Sequence, residues 1–197
     1  MSVFWVPGLV HCVQSFDAAH CPDPAPTGYE GALVYAGGSS ATHAWTAAEI
    51  ARAAGVVKWL LPVWVPTPGT DDPVTAGRDF VAWLKAHNVP TSTEAEHQVH
   101  LLWDLETGKE PDAAWADQAC RVTTKAGWNN LIYGSLSVIF QQPVRNGYFV
   151  ADPTGQPHMY HHQDVKATQY AFNVKVRGGV IDQSLVSVEL ANQMWRA

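Results

Sequence analysis

A pair of carboxylates two residues apart is the clearest candidate for chemistry in this sequence. Asp104 and Glu106 end the segment LLWDLET, which begins at Leu101 and is typical of a short buried strand. Side chains alternate along a strand, so the two acids would share one face about 6.6 Å apart. Two carboxylates in a partly desolvated cleft move each other's pKa apart, which leaves one protonated and the other ionised. Hydrolysis of a glycosidic bond needs that division of roles.

The same pair also has a structural interpretation, because hydrophilic residues are common where a strand ends. The catalytic interpretation is favoured if the strand belongs to a parallel α/β barrel, since the C-terminal strand ends of such barrels form the mouth of the active site. The spacing alone leaves both interpretations open.

Length and composition predict one globular domain spanning residues 1–197. The chain is 47% hydrophobic and 15% charged, which suits a well-filled core. Its net charge is −6, and its 12 Lys and Arg residues form no basic stripe, so a nucleic-acid partner is not expected. Nine Trp, six Tyr and six Phe suit stacking against sugar rings, although aromatic residues also fill cores.

The N-terminal segment predicts no signal peptide, because it lacks a basic region and Pro7 interrupts its apolar residues. No apolar run reaches the roughly 18 residues that a bilayer requires, so membrane insertion is not expected. Three cysteines leave at least one thiol unpaired and form no CxxC motif. A bridge between Cys12 and Cys21 is possible but not required.

Short apolar runs that alternate with helical patterns predict an α/β fold, an irregular TIM-like barrel of about eight strands. The predicted strands are residues 13–17, 32–36, 56–65, 101–107, 130–133, 148–151, 167–171 and 180–182. Helices are predicted at 46–54, 73–87 and 110–125, the first with a capping box formed by Thr46 and Glu49. Pro62 is expected to end the third strand. Later intervals are too short for crossover helices, so helices should be reduced in the C-terminal third.

An ordered set of motifs carries a family resemblance. An Asp ends the first strand, and WDLE, YGS, YFVAD, a Gln-Tyr pair and GVID follow in that order. The chain thereby resembles the family 25 glycoside hydrolases, the lysozyme-like muramidases of bacteria and their phages, and a related glycoside-hydrolase-like family of actinobacteria and phages. The resemblance implies a barrel of five β/α units followed by three strands, with acids in a groove at the strand ends. It implies no metal and no organic cofactor.

The resemblance also assigns roles. Glu106 matches the general acid and Asp104 its companion, which could stabilise positive charge at the anomeric carbon, while Asp17 and Asp182 match acids on the first and last strands. Rings and an amide at expected strand ends could hold sugar units, or could simply be packing; these are Tyr35, Trp64, Tyr133, Gln169 and Tyr170.

Three positions depart from the family's pattern. Asp17 is followed by Ala-Ala-His at 18–20, where the family usually has Asp-x-Ser-x-x-Gln, so a substrate-positioning hydroxyl and amide are missing. Ser184 replaces an Asn or Asp, and Phe149 replaces a Trp. These changes affect the expected choice of substrate more than the acid pair.

Histidines give little support for a metal site. His158, His161 and His162 lie in what reads as an exposed loop, without a Cys or an ordered carboxylate to complete a ligand set. His20 and His43 are interpreted as polar rim residues of early loops.

These observations favour a glycosidase that cleaves bacterial cell-wall peptidoglycan, whose partner is the cell-wall glycan. An endolysin of this kind would wait in the host cytoplasm before release, or it would be virion-associated. The alternative is a non-catalytic glycan-binding or structural module, such as a phage virion or tail component with other virion proteins as partners. The altered segment after Asp17 favours this alternative, as would a groove blocked by Trp64 or by the Pro22–Pro26 loop.

Overall fold

Eight strands close into a barrel in the computed structural model of this protein, which describes residues 4–6, 10–106, 113–142 and 145–196. The strands of these ranges, including one outside the barrel, are β1 (Phe4–Val6), β2 (Val10–Asp17), β3 (Gly31–Gly37), β4 (Trp59–Trp64), β5 (His100–Asp104), β6 (Asn129–Ser135), β7 (Tyr148–Ala151), β8 (Val165–Val176) and β9 (Gly179–Ser187). The helices are α1 (Ala47–Ala54), α2 (Pro73–Ala86), α3 (Ala113–Lys125), α4 (Leu136–Ile139) and α5 (Val188–Ala191).

The strands follow one another around the barrel in chain order. Strands β2 to β8 are parallel to their neighbours, whereas β9 is antiparallel to both β8 and β2 and closes the barrel. The short β1 adds to β2 as an antiparallel strand. Long helices connect β3 to β4, β4 to β5 and β5 to β6, and the later helices have four residues each. The predicted irregular barrel with reduced C-terminal helices is therefore confirmed.

Local sequence signals explain where the helices begin. Thr46 caps α1, its hydroxyl accepts the Glu49 N–H, and the Glu49 carboxylate accepts the Thr46 N–H, so the predicted capping box is present. Asp72 caps α2 by accepting the Thr75 N–H at 2.7 Å. None of the described helices combines the length and the apolar character that crossing a bilayer would require.

Alternation of side chains divides the hydrophobic core into two layers. Leu33, Val63 and Leu102 point into the barrel, where they belong to one buried cluster. Trp103 points outward, and its ring meets Phe80 of α2 at 5.3 Å and Trp115 of α3 at 5.9 Å between ring centroids. The inward layer therefore forms the floor of the barrel, and the outward layer attaches the helices to it.

Some predicted boundaries need correction. The third predicted strand was expected to end at Pro62, but β4 runs through it to Trp64. Strand β4 pairs with β5 only at Val63 and Trp64, beyond the proline, so the missing N–H interrupts none of the pairs with that neighbour. The predicted helix start at Glu110 and the end of LLWDLET at Thr107 lie outside the described residues. All three cysteines are buried, and none of them forms a disulfide among the described residues.

A buried amide joins β5, β6 and α3 behind the predicted acid pair. The Asn130 Oδ1 atom accepts the Trp103 indole N–H at 2.8 Å and the Thr123 hydroxyl at 2.6 Å. Its Nδ2 atom donates to the Thr124 hydroxyl at 2.9 Å. Asn130 is completely buried, so these groups would have no water to replace a lost partner.

We predict that Asn130→Ala lowers the free energy of unfolding by about 2–4 kcal/mol, because it leaves the Trp103 indole N–H buried without an acceptor and removes the bonds to Thr123 and Thr124. The matched control is Asn129→Ala, one residue earlier on the opposite face of β6 and half-buried, which should cost less than about 1 kcal/mol. Urea denaturation of the three proteins measures the difference. Equal destabilisation by both variants would contradict this role of Asn130.

Candidate active site

Four carboxyl groups meet at the C-terminal end of the barrel strands. Asp17 is the last residue of β2, and the antiparallel pairing with β9 sets Asp182 directly opposite it. Asp104 is the last residue of β5, and Glu106 lies in the turn that follows rather than on the strand itself. The Glu106 N–H donates to Asp104 Oδ1 at 3.1 Å, which fixes the turn. All four acids line one cavity.

The cavity opens to solvent, and about 450 Å³ of unoccupied space, part of it open solvent, lies among its lining residues. Apolar residues Leu33, Val63 and Leu102 form its floor. Its polar walls contain the four acids together with Tyr35, Tyr133 and Gln169, and Phe172 adds an aromatic ring. Three of the five predicted sugar-binding residues are thus brought together with all four predicted acids. The neighbouring polar groups can contact a small polar ligand, and the apolar floor keeps their surroundings poor in water.

A hydrogen-bond chain crosses the cavity wall. The Tyr133 hydroxyl donates to the Gln169 side-chain oxygen, and the Gln169 Nε2 atom donates to Asp182 Oδ2 at 2.9 Å. The Asn173 N–H donates to the other oxygen of Asp182 at 2.7 Å. Because the Asp182 carboxylate accepts two N–H bonds, the orientation of the Gln169 amide follows from its neighbours. The wall residues are held in fixed positions before any ligand binds.

Burial and mutual repulsion make the acids hold their protons. Burial raises the pKa of Asp104 from 3.8 to about 7, partly opposed by the hydrogen bond from the Glu106 N–H, and the Glu106 charge raises it further. The pKa of Asp17 is raised well above its usual value, first by burial and then by the charges of the other three acids. Partial desolvation also raises the pKa of Glu106, whose residue is exposed at the open side of the cavity, and of the half-buried Asp182. The cavity can therefore hold protonated carboxylic acids near neutral pH.

Solved structures share this architecture at low sequence identity. No family model and no curated protein sequence matches this chain. A family 25 lysozyme from Aspergillus fumigatus has a TM-score of 0.63 at 14% identity, over 92% of this chain and 98% of that one. The chain has the fold of the family 25 lysozymes.

Two further structures carry the same fold. An uncharacterized protein of B. stearothermophilus has a TM-score of 0.68 at 16% identity, over 92% of this chain and 99% of that one. The modular autolysin LytC from Streptococcus pneumoniae, in complex with a synthetic peptidoglycan ligand, has a TM-score of 0.60 at 14% identity and covers 89% of this chain and 46% of its own. The family 25 fold thus accounts for most of this chain.

Two predicted sugar-binding residues lie elsewhere in this family 25 fold. Trp64 follows the inward Val63, points outward and stacks on Phe80 at 5.3 Å. Tyr170 follows Gln169 and also points away from the cavity, where its hydroxyl accepts the Gln14 amide at 2.7 Å. Consecutive strand residues occupy opposite faces, which is why neither ring lines the cavity with its neighbour. The prediction that these two rings hold sugar units is corrected accordingly.

Phe172 is a cavity residue that sequence reasoning missed. Its side chain is 41% exposed at the cavity, which is unusual for a large apolar group. The pairing of β8 with β9 is irregular between Ala171 and Val174, and Asn173 has a φ of 55°. This irregularity breaks the simple alternation that would have sent Phe172 to the outer face. No pattern in the sequence therefore indicated the place of Phe172 at the cavity.

Among the positions that depart from the family 25 pattern, Ala18 and Phe149 have structural partners here. The Ala18 carbonyl accepts the Trp45 indole N–H at 2.9 Å, which ties the connection after β2 to that after β3. Ser184 is fully buried. Phe149 is also buried, and its ring packs edge-on against Tyr133 at 5.6 Å between centroids. Phe149 therefore supports a cavity residue instead of lining the cavity.

We predict that Asp104→Asn raises the free energy of unfolding more at pH 8 than at pH 4, by roughly 2–4 kcal/mol. The Asp104 carboxyl has a higher pKa in the folded protein than in the unfolded chain. Between about pH 4 and pH 7 the folded protein therefore binds more protons at this group, and the stability of the wild type falls as the pH rises through this window. Asn carries no charge and keeps the Oδ1 acceptor. Denaturant unfolding at both pH values provides the measurement.

The matched control is Asp79→Asn, an exposed acid on α2. As a surface substitution, it should change the free energy of unfolding by less than about 1 kcal/mol at either pH. If Asp104→Asn behaves in the same way as this control, the Asp104 carboxyl does not titrate near neutral pH in the folded protein.

Proposed function

We propose that this protein is a muramidase-type glycosidase that hydrolyses the β-1,4 bond between amino sugars of bacterial cell-wall peptidoglycan. The observation that supports this most directly is the convergence of Glu106, Asp104, Asp17 and Asp182 on one partly desolvated cavity. Glu106 acts as the general acid that protonates the leaving oxygen. Asp104 and its neighbours stabilise the positive charge that develops at the anomeric carbon.

Glu106 suits the role of proton donor because its surroundings favour the protonated carboxyl and also stabilise the carboxylate that proton transfer leaves. Burial raises the pKa of Glu106, and a side-chain hydrogen bond with Tyr133 opposes that rise. A tyrosine hydroxyl both donates and accepts. While it donates to Gln169, its oxygen can accept from protonated Glu106, and after proton transfer it can turn and donate to the new carboxylate. The same contact thus serves both protonation states.

Asp182 is the acid best arranged to carry a negative charge. It accepts N–H bonds from Gln169 and from the Asn173 backbone, and these bonds lower its pKa against the effect of burial. Asp17 lies directly across the strand pair, and its pKa is raised in part by the Asp182 charge. A charge on Asp182 therefore favours a protonated Asp17, so the two acids divide the roles of anion and hydrogen-bond donor.

Peptidoglycan is the favoured glycan because of the comparisons with solved structures. The family 25 lysozyme has this fold, and the autolysin with this fold was solved with a synthetic peptidoglycan ligand. Tyr35, Tyr133 and Gln169 supply hydrogen-bonding groups for sugar hydroxyls, and Phe172 supplies an apolar face. The protein would then act at the bacterial cell wall.

The second candidate is a non-catalytic glycan-binding module, for example a virion component that keeps the barrel. The segment Ala18–His20, which lacks the family's usual hydroxyl and amide, is the observation that favours it. A groove blocked by Trp64 or by the Pro22–Pro26 loop would also have favoured the module. Among the described residues, neither of them lines the cavity.

We predict that Glu106→Gln lowers the release of reducing ends from purified peptidoglycan by about 10²–10⁴-fold, because the amide keeps the shape but cannot donate a carboxylic proton. The control is Glu189→Gln, an acid on α5 whose side chain is 70% exposed and which lies outside the cavity. It should retain wild-type activity. Circular dichroism of both variants checks that they fold.

Two results would contradict the enzymatic proposal. One is equal activity of wild type and Glu106→Gln. The other is no wild-type activity on walls of several chemotypes, which together with retained binding to those walls would support the glycan-binding module.

We predict that Phe172→Ala raises KM roughly 5–30-fold on a soluble glycan substrate and leaves kcat nearly unchanged. Loss of about 1–2 kcal/mol of apolar contact weakens the ground state and the transition state equally. Phe140→Ala is the control, because Phe140 is 38% exposed but packs near Tyr148 and His162 outside the cavity. A fall in kcat at constant KM would exclude a role for Phe172 in simple substrate binding.

A further inference from the structure

A second cluster of potential ligands lies outside the acid cavity at the same end of the barrel. His20 belongs to the connection after β2, His43 to the connection after β3, and Glu49 to the first turn of α1. The His43 Nε2 atom lies 2.9 Å from Glu49 Oε2, and the His20 Nδ1 atom lies 3.4 Å from Glu49 Oε1. The two imidazole rings stack with centroids 3.9 Å apart. Sequence analysis had interpreted both histidines as rim residues.

The Glu49 carboxylate is held in place by protein donors. The Thr46 N–H and hydroxyl each donate to Oε2 at 2.9 Å, and the Cys21 N–H donates to Oε1 at 3.2 Å. Glu49 is buried, with 9% of its surface exposed. Burial would raise its pKa, but the bonds from His43 and Thr46 together lower it to about 2. The carboxylate is therefore oriented and charged before any further partner arrives.

We propose that His20, His43 and Glu49 bind one divalent transition-metal ion, for which zinc fits best. One ligand atom from each residue lies within 4.8 Å of the others. Tetrahedral zinc with bonds near 2.1 Å needs ligand atoms about 3.4 Å apart, so small side-chain movements suffice. Two imidazoles and a carboxylate are a common zinc donor set, and the bonds from Thr46 and Cys21 orient the carboxylate as an outer shell.

A metal at this position would connect two loops of the barrel mouth. His20 follows Asp17 by three positions, and the Trp45 indole near His43 already bonds the Ala18 carbonyl. The ion would add a second connection between the same two loops, next to the acid cavity. The His20 side chain is 69% exposed, which leaves the fourth position of the ion open to solvent. This proposal is independent of the proposed glycosidase activity.

The test is a calorimetric titration of the chelator-treated, full-length protein with Zn²⁺ alone at neutral pH, with thermal unfolding followed in parallel. We expect one Zn²⁺ per chain and a higher Tm with the metal, because a ligand that binds only the folded state stabilises it. His20→Ala and His43→Ala should each weaken binding at least tenfold and remove the increase in Tm. The matched control, His97→Ala, replaces an exposed histidine of another loop and should bind as the wild type does.

Absence of binding to the wild type would overturn the proposal, and the cluster would then be only the contacts of two imidazoles with a carboxylate. Binding that survives both His20→Ala and His43→Ala would overturn it equally. If His43→Ala does not fold, His20→Ala decides the question, because its exposed side chain contributes little to packing.

Discussion

The antiparallel pairing of β9 with β2 is the constraint on which the site depends. It closes the barrel and leaves neither strand with an unpaired edge. Its register also places Asp17 against Asp182, at the same level as the ends of the parallel strands. Without this closure, the acid of β2 and the acids that follow β5 would belong to an open sheet and would share no cavity. Closure therefore creates both the core and the crowding of charge.

That crowding opposes stability. Carboxylic acids in a cavity floored by Leu33, Val63 and Leu102 lose hydration, and each ionised group repels the next. The surrounding fold offsets this cost with buried apolar layers on both sides of the sheet and with satisfied networks such as that of Asn130. The desolvation that weakens the fold is also what lets a carboxylic acid keep a transferable proton near neutral pH.

Sequence reasoning predicted what local patterns determine. The strands, the capping box of α1 and the segment that carries Asp104 all have signals within a few residues. Strict alternation would also have shown that Gln169 and Tyr170 cannot both face the cavity, so that part of the error was avoidable. Phe172 could not be assigned, because an irregularity in the β8–β9 pairing, visible only when both strands are present, turns it inward. Residues brought together by three separate elements, as in the cluster of His20, His43 and Glu49, have no signal in a single sequence.

The connection after β2 is where this chain differs most from the family pattern, and its contacts explain the difference. Its residues bond toward α1 and the neighbouring loop: the Ala18 carbonyl accepts the Trp45 indole N–H, and the Cys21 N–H donates to Glu49. In the proposed function, polar contacts to the glycan come from Tyr35, Tyr133 and Gln169, the last two of which are already oriented by hydrogen bonds. The four acids occupy positions of the family pattern, whereas the polar groups of the proposed recognition, Tyr133 and Gln169, lie on β6 and β8.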